Sequence, residues 1–361
     1  MQMGAAGTKS MKILFVTDRR VDAGSIQAVA GHVRAGNELG HTVAVYGHPE
    51  PNFPGVRFSS DVAAFDYVVF IFESKLRWLD GLQLAHILSA VPRKQRAIVD
   101  ADGMYNQRIT VDGYDHNHLN DRERWVWLTT FDYLADKILQ PTLKPHEPGV
   151  IPLLFYGYDP TAQVKPATDA PKRFDIVHVG HNWWRWREVS NSLLPAIERV
   201  RAHLNGICFV GLWWDGVPSW AWDLGLEQAF CVDVDGLRKL GVQVKPAIPY
   251  SEVIPMMSAG RVNIMTQRPL FRRLKILTSK YFEIFCADTI PLVMLDPDHA
   301  ELVYGPAGRD LALYDRIADK LLDALRNPQK YRASIEEVRH HLAAHHSYYN
   351  RVRELVKALE G

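Results

Sequence analysis

The clearest chemical feature of this 361-residue chain is a run of cations. Arg268, Arg272, Arg273, Lys275 and Lys280 follow one another with no acidic side chain before Glu283. Thr278 and Ser279 stand just ahead of a helical pattern, where hydroxyl caps and free backbone N–H groups are expected to point outward. A helix start flanked by cations is a seat for a diphosphate, with Lys275, Thr278, Ser279 and Lys280 as its donors. Glu283, one turn further on, is placed to accept hydrogen bonds from a ribose. The plainer alternative is a solvated basic face on which Glu283 makes an ordinary surface pair.

A second group lies in the stretch Gly180-His181-Asn182-Trp183-Trp184-Arg185-Trp186-Arg187. Arg185 and Arg187 are candidates for neutralising phosphates. Seven of the ten tryptophans fall between Trp183 and Trp222. Trp183, Trp184 and Trp213 either stack on a sugar or base, or form a packed aromatic cluster. Pro246 and Tyr250, in a loop after an apolar strand, are expected to border a base. Asp100 and Asp102 end a strand nearer the amino terminus, where a carboxylate can act as a general base. His116 and His118 are the other candidates for that role. Asp233-Val-Asp235 and the cluster His340, His341, His345 and His346 suggest metal chemistry. Chance accounts for the first, and no carboxylate or cysteine completes the second at helical spacing.

The elements that must position these groups alternate. Met11–Val16 is an apolar run typical of a strand covered on both faces. Ile26, Val29, Ala30 and Val33 then follow a helical spacing that stops at Gly40, and His41–Tyr46 returns to strand character. Further strands are expected at 67–72, 96–99 and 137–140, with helices at 79–90 and 122–130. The proline-rich segment 141–171 reads as a boundary. The alternation restarts with strands at 174–179, 206–210, 242–244, 261–265 and 290–294. Helices are expected at 190–203, 251–258 and 279–287, and from Ile317 onward. Two successive α/β halves built on parallel sheets follow from this pattern.

Composition narrows the classes. Lys plus Arg number 42 and Asp plus Glu 41, for a formal net charge of +1, which argues against a nucleic-acid partner. No apolar run reaches the roughly 20 residues of a membrane-spanning helix. Peripheral membrane contact stays open. The opening ten residues read as a disordered leader rather than a signal peptide, which points to a cytoplasmic protein. Cys208, Cys231 and Cys286 are widely spaced and build neither a disulfide framework nor a thiolate metal site. The turn after the first strand, DRRVDAG, lacks G-x-G-x-x-G, and no P-loop motif occurs. Nicotinamide and flavin enzymes and P-loop NTPases are thereby disfavoured.

The segment KYFEIFCADTIPLV, followed by PDHAELVY and LDALRNPQKYRASIEEVRHHLAAHHS, resembles the carboxyl-terminal half of GT-B glycosyltransferases, closest to the spore-maturation-protein-like branch. GSIQAVAGHVRAGNELGHTVAV is similar to the first βαβ unit of that class, and IPLLFYGYDP to its interdomain connection. The resemblance implies two Rossmann-like, doubly wound parallel-sheet domains facing across a cleft. The leader would cover 1–10, an acceptor domain 11–150, a linker 151–172, and a nucleotide-sugar domain 173–346. A terminal helix, 347–361, would return to the first domain. It also implies transfer of a sugar from a nucleotide-diphosphate donor to a saccharide or other hydroxyl acceptor, with no metal or other cofactor. Glu283 matches the second glutamate of the E-x7-E pair of retaining members. Lys275 stands where the first would be, and Asp288 replaces a customary glycine. A retaining course is favoured. A nucleotide-sugar epimerase, or a non-catalytic carbohydrate-binding or assembly protein on the same scaffold, are the alternatives.

Overall fold

The computed structural model describes residues 10–17, 24–50, 55–71, 81–111, 114–115, 121–165 and 171–361. The chain divides into two compact units, Met1–Gln107 with Leu119–Gly157 and Tyr348–Gly361, and Arg108–His118 with Tyr158–Ser347. The expected leader lies outside the described residues except for Ser10. Most of DRRVDAG, His116 and His118 lie outside them as well.

The first unit is built on a seven-stranded parallel sheet. Its strands are β1 (Lys12–Thr17), β2 (Thr42–Tyr46), β3 (Phe58–Ser59), β4 (Tyr67–Ile71) and β5 (Arg96–Val99). A short antiparallel hairpin, β6 (Thr110–Val111) and β7 (Tyr114–Asp115), belongs to the second unit. The sheet resumes with β8 (Lys137–Gln140) and β9 (Val150–Pro152), in the order β3-β2-β1-β4-β5-β8-β9. Ile13 to Val16 and Val68 to Phe70 are fully buried, as strands covered on both faces must be.

The helix Gly24–Glu38 lies close to this sheet and to the terminal helix because two glycines clear the way. A Cβ on Gly36 would meet Val43 Cγ2 at 2.4 Å, and one on Gly31 would meet the Tyr348 ring at 2.6 Å. The terminal helix Tyr348–Glu360 buries Val352, Leu355, Val356 and Leu359 in the same unit, and Lys137 Nζ donates to the Ala358 carbonyl at 3.1 Å. The stretch expected as a linker begins inside this unit: β9 joins the sheet, and Phe155 and Tyr156 are buried. The unit boundary falls between Gly157 and Tyr158.

The second unit carries a five-stranded parallel sheet. Its strands are β10 (Phe174–Val179), β11 (Ile207–Val210), β12 (Val242–Lys245), β13 (Gly260–Met265) and β14 (Ile290–Val293), in the order β12-β11-β10-β13-β14. The chain leaves β10 toward β11 on one side, and β13 enters on the other. The carboxyl ends of β10 and β13 therefore flank the topological switch point, where open α/β sheets bind ligands. The helix expected over 190–203 begins earlier, at Trp186, and widens into a π-turn over Val189–Leu193 before resuming as Leu194–Val200. Pro195 has no N–H to give to the preceding turn, which accounts for the widened ladder. Among the described residues, no helix is long and apolar enough to cross a membrane.

Candidate functional site

At the switch point of the second unit a small pocket of about 10 Å³ is lined by His178, Arg185, Asn263, Thr266 and Lys280, with Met257 and Ile284 adding apolar surface. Of the residues read as phosphate-binding, Arg185 and Lys280 meet here. Each arrives on a different element: Arg185 from the turn after β10, Lys280 from the first position of the helix Lys280–Cys286.

Arg185 dominates the electrostatics. Its Nη1 donates to the His181 carbonyl at 2.6 Å, its Nε is buried without a hydrogen-bond partner, and no carboxylate pairs with it among the described residues. Burial, aided by the positive charge of Arg268, pushes its guanidinium down to about 9. Arg268 is itself buried, stacked over Phe271 at 4.2 Å and near Trp183 at 5.8 Å. Two enclosed guanidiniums without a carboxylate on Arg185 make a site that favours an anion.

Lys280 is partly balanced, since its Nζ donates to Glu283 Oε2 at 2.7 Å. The other carboxylate oxygen, Oε1, is buried and accepts nothing. Glu283 thus holds one lysine with one oxygen and presents the second to a ligand. Thr278 and Ser279 differ from expectation. Ser279 already has helical dihedrals and its side chain makes no cap. The amides of Tyr281, Phe282 and Glu283 donate to the carbonyls of Thr278 and Ser279. The first turn thereby consumes the N–H groups that the capping pattern left free.

Lys275 lies on a neighbouring cluster and does not line the pocket. It closes the helix Pro269–Leu274 in the left-handed conformation, φ 51°, a strained choice for a residue with a side chain. Its charge acts on His299, which burial and Lys275 together hold down to about 4. His299 Nε2 and the Tyr281 hydroxyl are both buried without partners, with their rings 6.3 Å apart. Arg187 is exposed. Pro246 is exposed in the loop after β12, and Tyr250 opens the helix Tyr250–Ser258.

The tryptophans pack on one another. Trp183 meets Phe230 at 4.6 Å and Trp213 at 5.9 Å, and Trp213 meets Phe230 at 4.7 Å. Trp184 and Trp213 both have positive φ, 56° and 67°. Gly211 supports this crowding: a Cβ there would meet the Gly180 carbonyl oxygen at 2.3 Å.

Sequence reasoning missed His178, Asn263 and Thr266 in the pocket wall, and two residues beside it. Glu188 Oε2 accepts the Gln267 amide at 3.0 Å, and its other oxygen pairs with Arg272, which ties the turn after β10 to the loop after β13. Gln267 is buried with both side-chain amide atoms unpartnered. Its position directly after an apolar strand was the available signal.

In the first unit, Asp100 is fully buried. It accepts from the Met104 and Tyr105 amides and from Gln140 Nε2, each at 2.8 Å. Burial outweighs these three donors and raises its carboxyl to about 6. It fastens the loop that carries the half-buried Asp102. The histidines near the end bring the rings of His341 and His345 to 4.7 Å. Among the described residues no group of three or more His, Cys, Asp or Glu is arranged to hold a metal ion.

Two parallel-sheet α/β units, with cations gathered at a switch point in the second, are the architecture of GT-B glycosyltransferases. Residues 187–357, just under half of the chain, match the glycosyl transferase-like family, and the two units have the GT-B fold. No protein of curated function matches the sequence. Among solved structures, an α-glucosyltransferase in complex with UDP and a mismatched 13-mer DNA has a TM-score of 0.66 at 12% identity, covering 98% of this chain and 100% of its own. The T4 phage β-glucosyltransferase with its UDP-glucose substrate scores 0.53 at 12% identity, covering 97% and 100%. The same phage enzyme with UDP and Mn2+ scores 0.52 at 12% identity, with the same coverage. These likenesses show the fold. They also correct one expectation. Nucleic acid was set aside as a partner on the net charge of +1, yet a chain of this fold is solved with DNA. A net charge sums over the whole surface and does not describe any one face of it.

Proposed function

We propose that the chain transfers a sugar from a UDP-sugar to a hydroxyl acceptor, with the donor held by the second unit. The observation that carries this reading is the enclosed Arg185, which has no carboxylate partner among the described residues and stands beside Arg268 and Lys280. As the sugar–phosphate bond breaks, negative charge grows on the diphosphate. Fixed cations stabilise that charge more in the transition state than in the ground state. Glu283 Oε1 accepts a ribose hydroxyl. The departing diphosphate oxygen takes the acceptor's proton on the same face of the sugar. The cations do the work a divalent ion would do on a diphosphate, and the anomeric configuration of the donor is retained.

Thermal shift with UDP, GDP, TDP and their sugars tests the donor site. UDP stabilises the protein, and Arg185→Met abolishes the shift. Nucleotide release is then followed with saccharides and with duplex DNA as acceptors, in EDTA and in Mn2+, and the product anomer is read by NMR. Release only with an acceptor supports transfer. Conversion of the donor sugar without an acceptor indicates an epimerase. Stabilisation by oligosaccharides and by no nucleotide overturns the donor assignment.

A further inference from the structure

His178 is 2% exposed at the end of β10, in the pocket wall. Its Nδ1 lies 2.8 Å from the Ile264 carbonyl oxygen, which only accepts, so Nδ1 carries the proton and Nε2 keeps a lone pair. Burial, with the charges of Arg185 and Lys280, keeps the ring neutral, its basicity held down to about 3. Nε2 is buried and has no partner. Phe209 and Trp214 meet the ring edge-on at 5.4 Å each and fix its orientation.

The register supplies a second group. Val177 pairs with Asn263, so two strands continued in step bring His178 beside Ile264 and Gly180 beside Thr266. Strand alternation keeps His178, Gly180 and Thr266 on one face of the sheet. The Thr266 hydroxyl is likewise without a partner, in a residue 5% exposed. Gly180 leaves the space open: a Cβ there would stand 3.3 Å from His178 Nε2.

We infer that His178 Nε2 and Thr266 Oγ1 form a hydroxyl-reading subsite beside the phosphate cations, in which a donor hydroxyl gives its proton to the imidazole lone pair. This rests on the UDP-sugar reading above and deepens it. The hydroxyl belongs either to the ribose or to the transferred sugar. A ligand lacking it leaves a buried acceptor unanswered, and sites built to bond a hydroxyl reject such analogues strongly.

The test compares UDP with 2′-deoxy-UDP, and UDP-glucose with UDP-2-deoxyglucose, by calorimetry on the full chain. Wild type is expected to prefer the hydroxylated member of one pair by at least about tenfold. Thr266→Val and Gly180→Ala both keep the Nδ1 bond of His178, and His178→Phe keeps the ring packing. All three are expected to reduce that preference to within about threefold while still binding the deoxy ligand. The responding pair identifies the hydroxyl. The inference is overturned if wild type discriminates in neither pair, or if the variants weaken both members of a pair equally. Failure of wild type to bind UDP at all refutes the donor reading itself, a result separable from these.

Discussion

Arg185→Met should move ligand-free stability and nucleotide affinity in opposite directions. In the absence of ligand, Arg185 is an enclosed charge with one carbonyl for company and another guanidinium nearby. The drop from 12.5 to about 9 corresponds to roughly 5 kcal/mol at ~1.36 kcal/mol per tenfold change in proton affinity. Relaxation and water reduce that ceiling to a few kcal/mol. Loss of the bond to the His181 carbonyl takes back about 1 kcal/mol. A net stabilisation of about 1–2 kcal/mol remains, which raises the melting transition by roughly 2–8 °C for a unit of this size. The same substitution removes a charge-assisted contact of about 1.5–3 kcal/mol to phosphate, a loss of roughly 10–150-fold in UDP affinity.

The assay is scanning calorimetry of both proteins without ligand, then UDP titration of each. The pH dependence gives a second arm. The folded-state value of Arg185 lies below its unfolded value, so its destabilisation is full below pH 9 and fades as pH rises from about 9 toward 12.5. UDP affinity in wild type should therefore fall as pH passes about 9, and in Arg185→Met it should stay flatter. A variant that melts lower than wild type and binds UDP within about threefold of it refutes the argument. Arg185 would then be an ordinary structural side chain.

Three further outcomes follow from buried groups. Lys275→Gly relieves a left-handed φ of 51° and should raise stability by about 1 kcal/mol, with turnover unchanged because Lys275 does not line the pocket; a thermal melt and a kinetic assay check both. His32, His178 and His299 are held down to about 4, about 3 and about 4 chiefly by burial. The unfolded chain takes up protons at these sites from about pH 6.5, so stability should fall steadily as pH drops from about 6.5 toward 4. Urea titrations at several pH values measure the slope, and His32→Phe, which keeps the stack on Phe155, should make it shallower. Asp100→Asn turns an N–H toward groups that already donate and should cost about 1–3 kcal/mol at pH 7.

The alternation of apolar strands and helices was legible because parallel strands buried on both faces read as continuous apolar runs, as β1 and β4 do. The short elements were not. The helix Pro269–Leu274 lay inside what read only as a run of cations, although Pro269 at its start and Leu270, Phe271 and Leu274 on one side were available signs. The cations Arg268, Arg272 and Arg273 drew attention to charge and away from that spacing. Local pattern also could not show that Ser279 would already be helical, so the hydroxyl assigned to a cap makes none.

The site was half visible, for a physical reason. Charge is read residue by residue, so Arg185, Lys280 and Glu283 could be named from the sequence. Whether a charge is answered depends on which elements meet, and Glu188 answers Arg272 where, among the described residues, no carboxylate answers Arg185. Burial likewise decides which polar groups matter. His178 sits in FDIVHVG, a strand in which a histidine reads as packing, and its lone pair becomes significant only once the Ile264 carbonyl fixes the proton on Nδ1. Lys275 presents the same problem in reverse, since its charge suggested the phosphate while its backbone carries it to His299. Residues that bind through a neutral atom at a strand end are therefore the ones a charge-led reading passes over. In this fold the register between β10 and β13 is what reveals them.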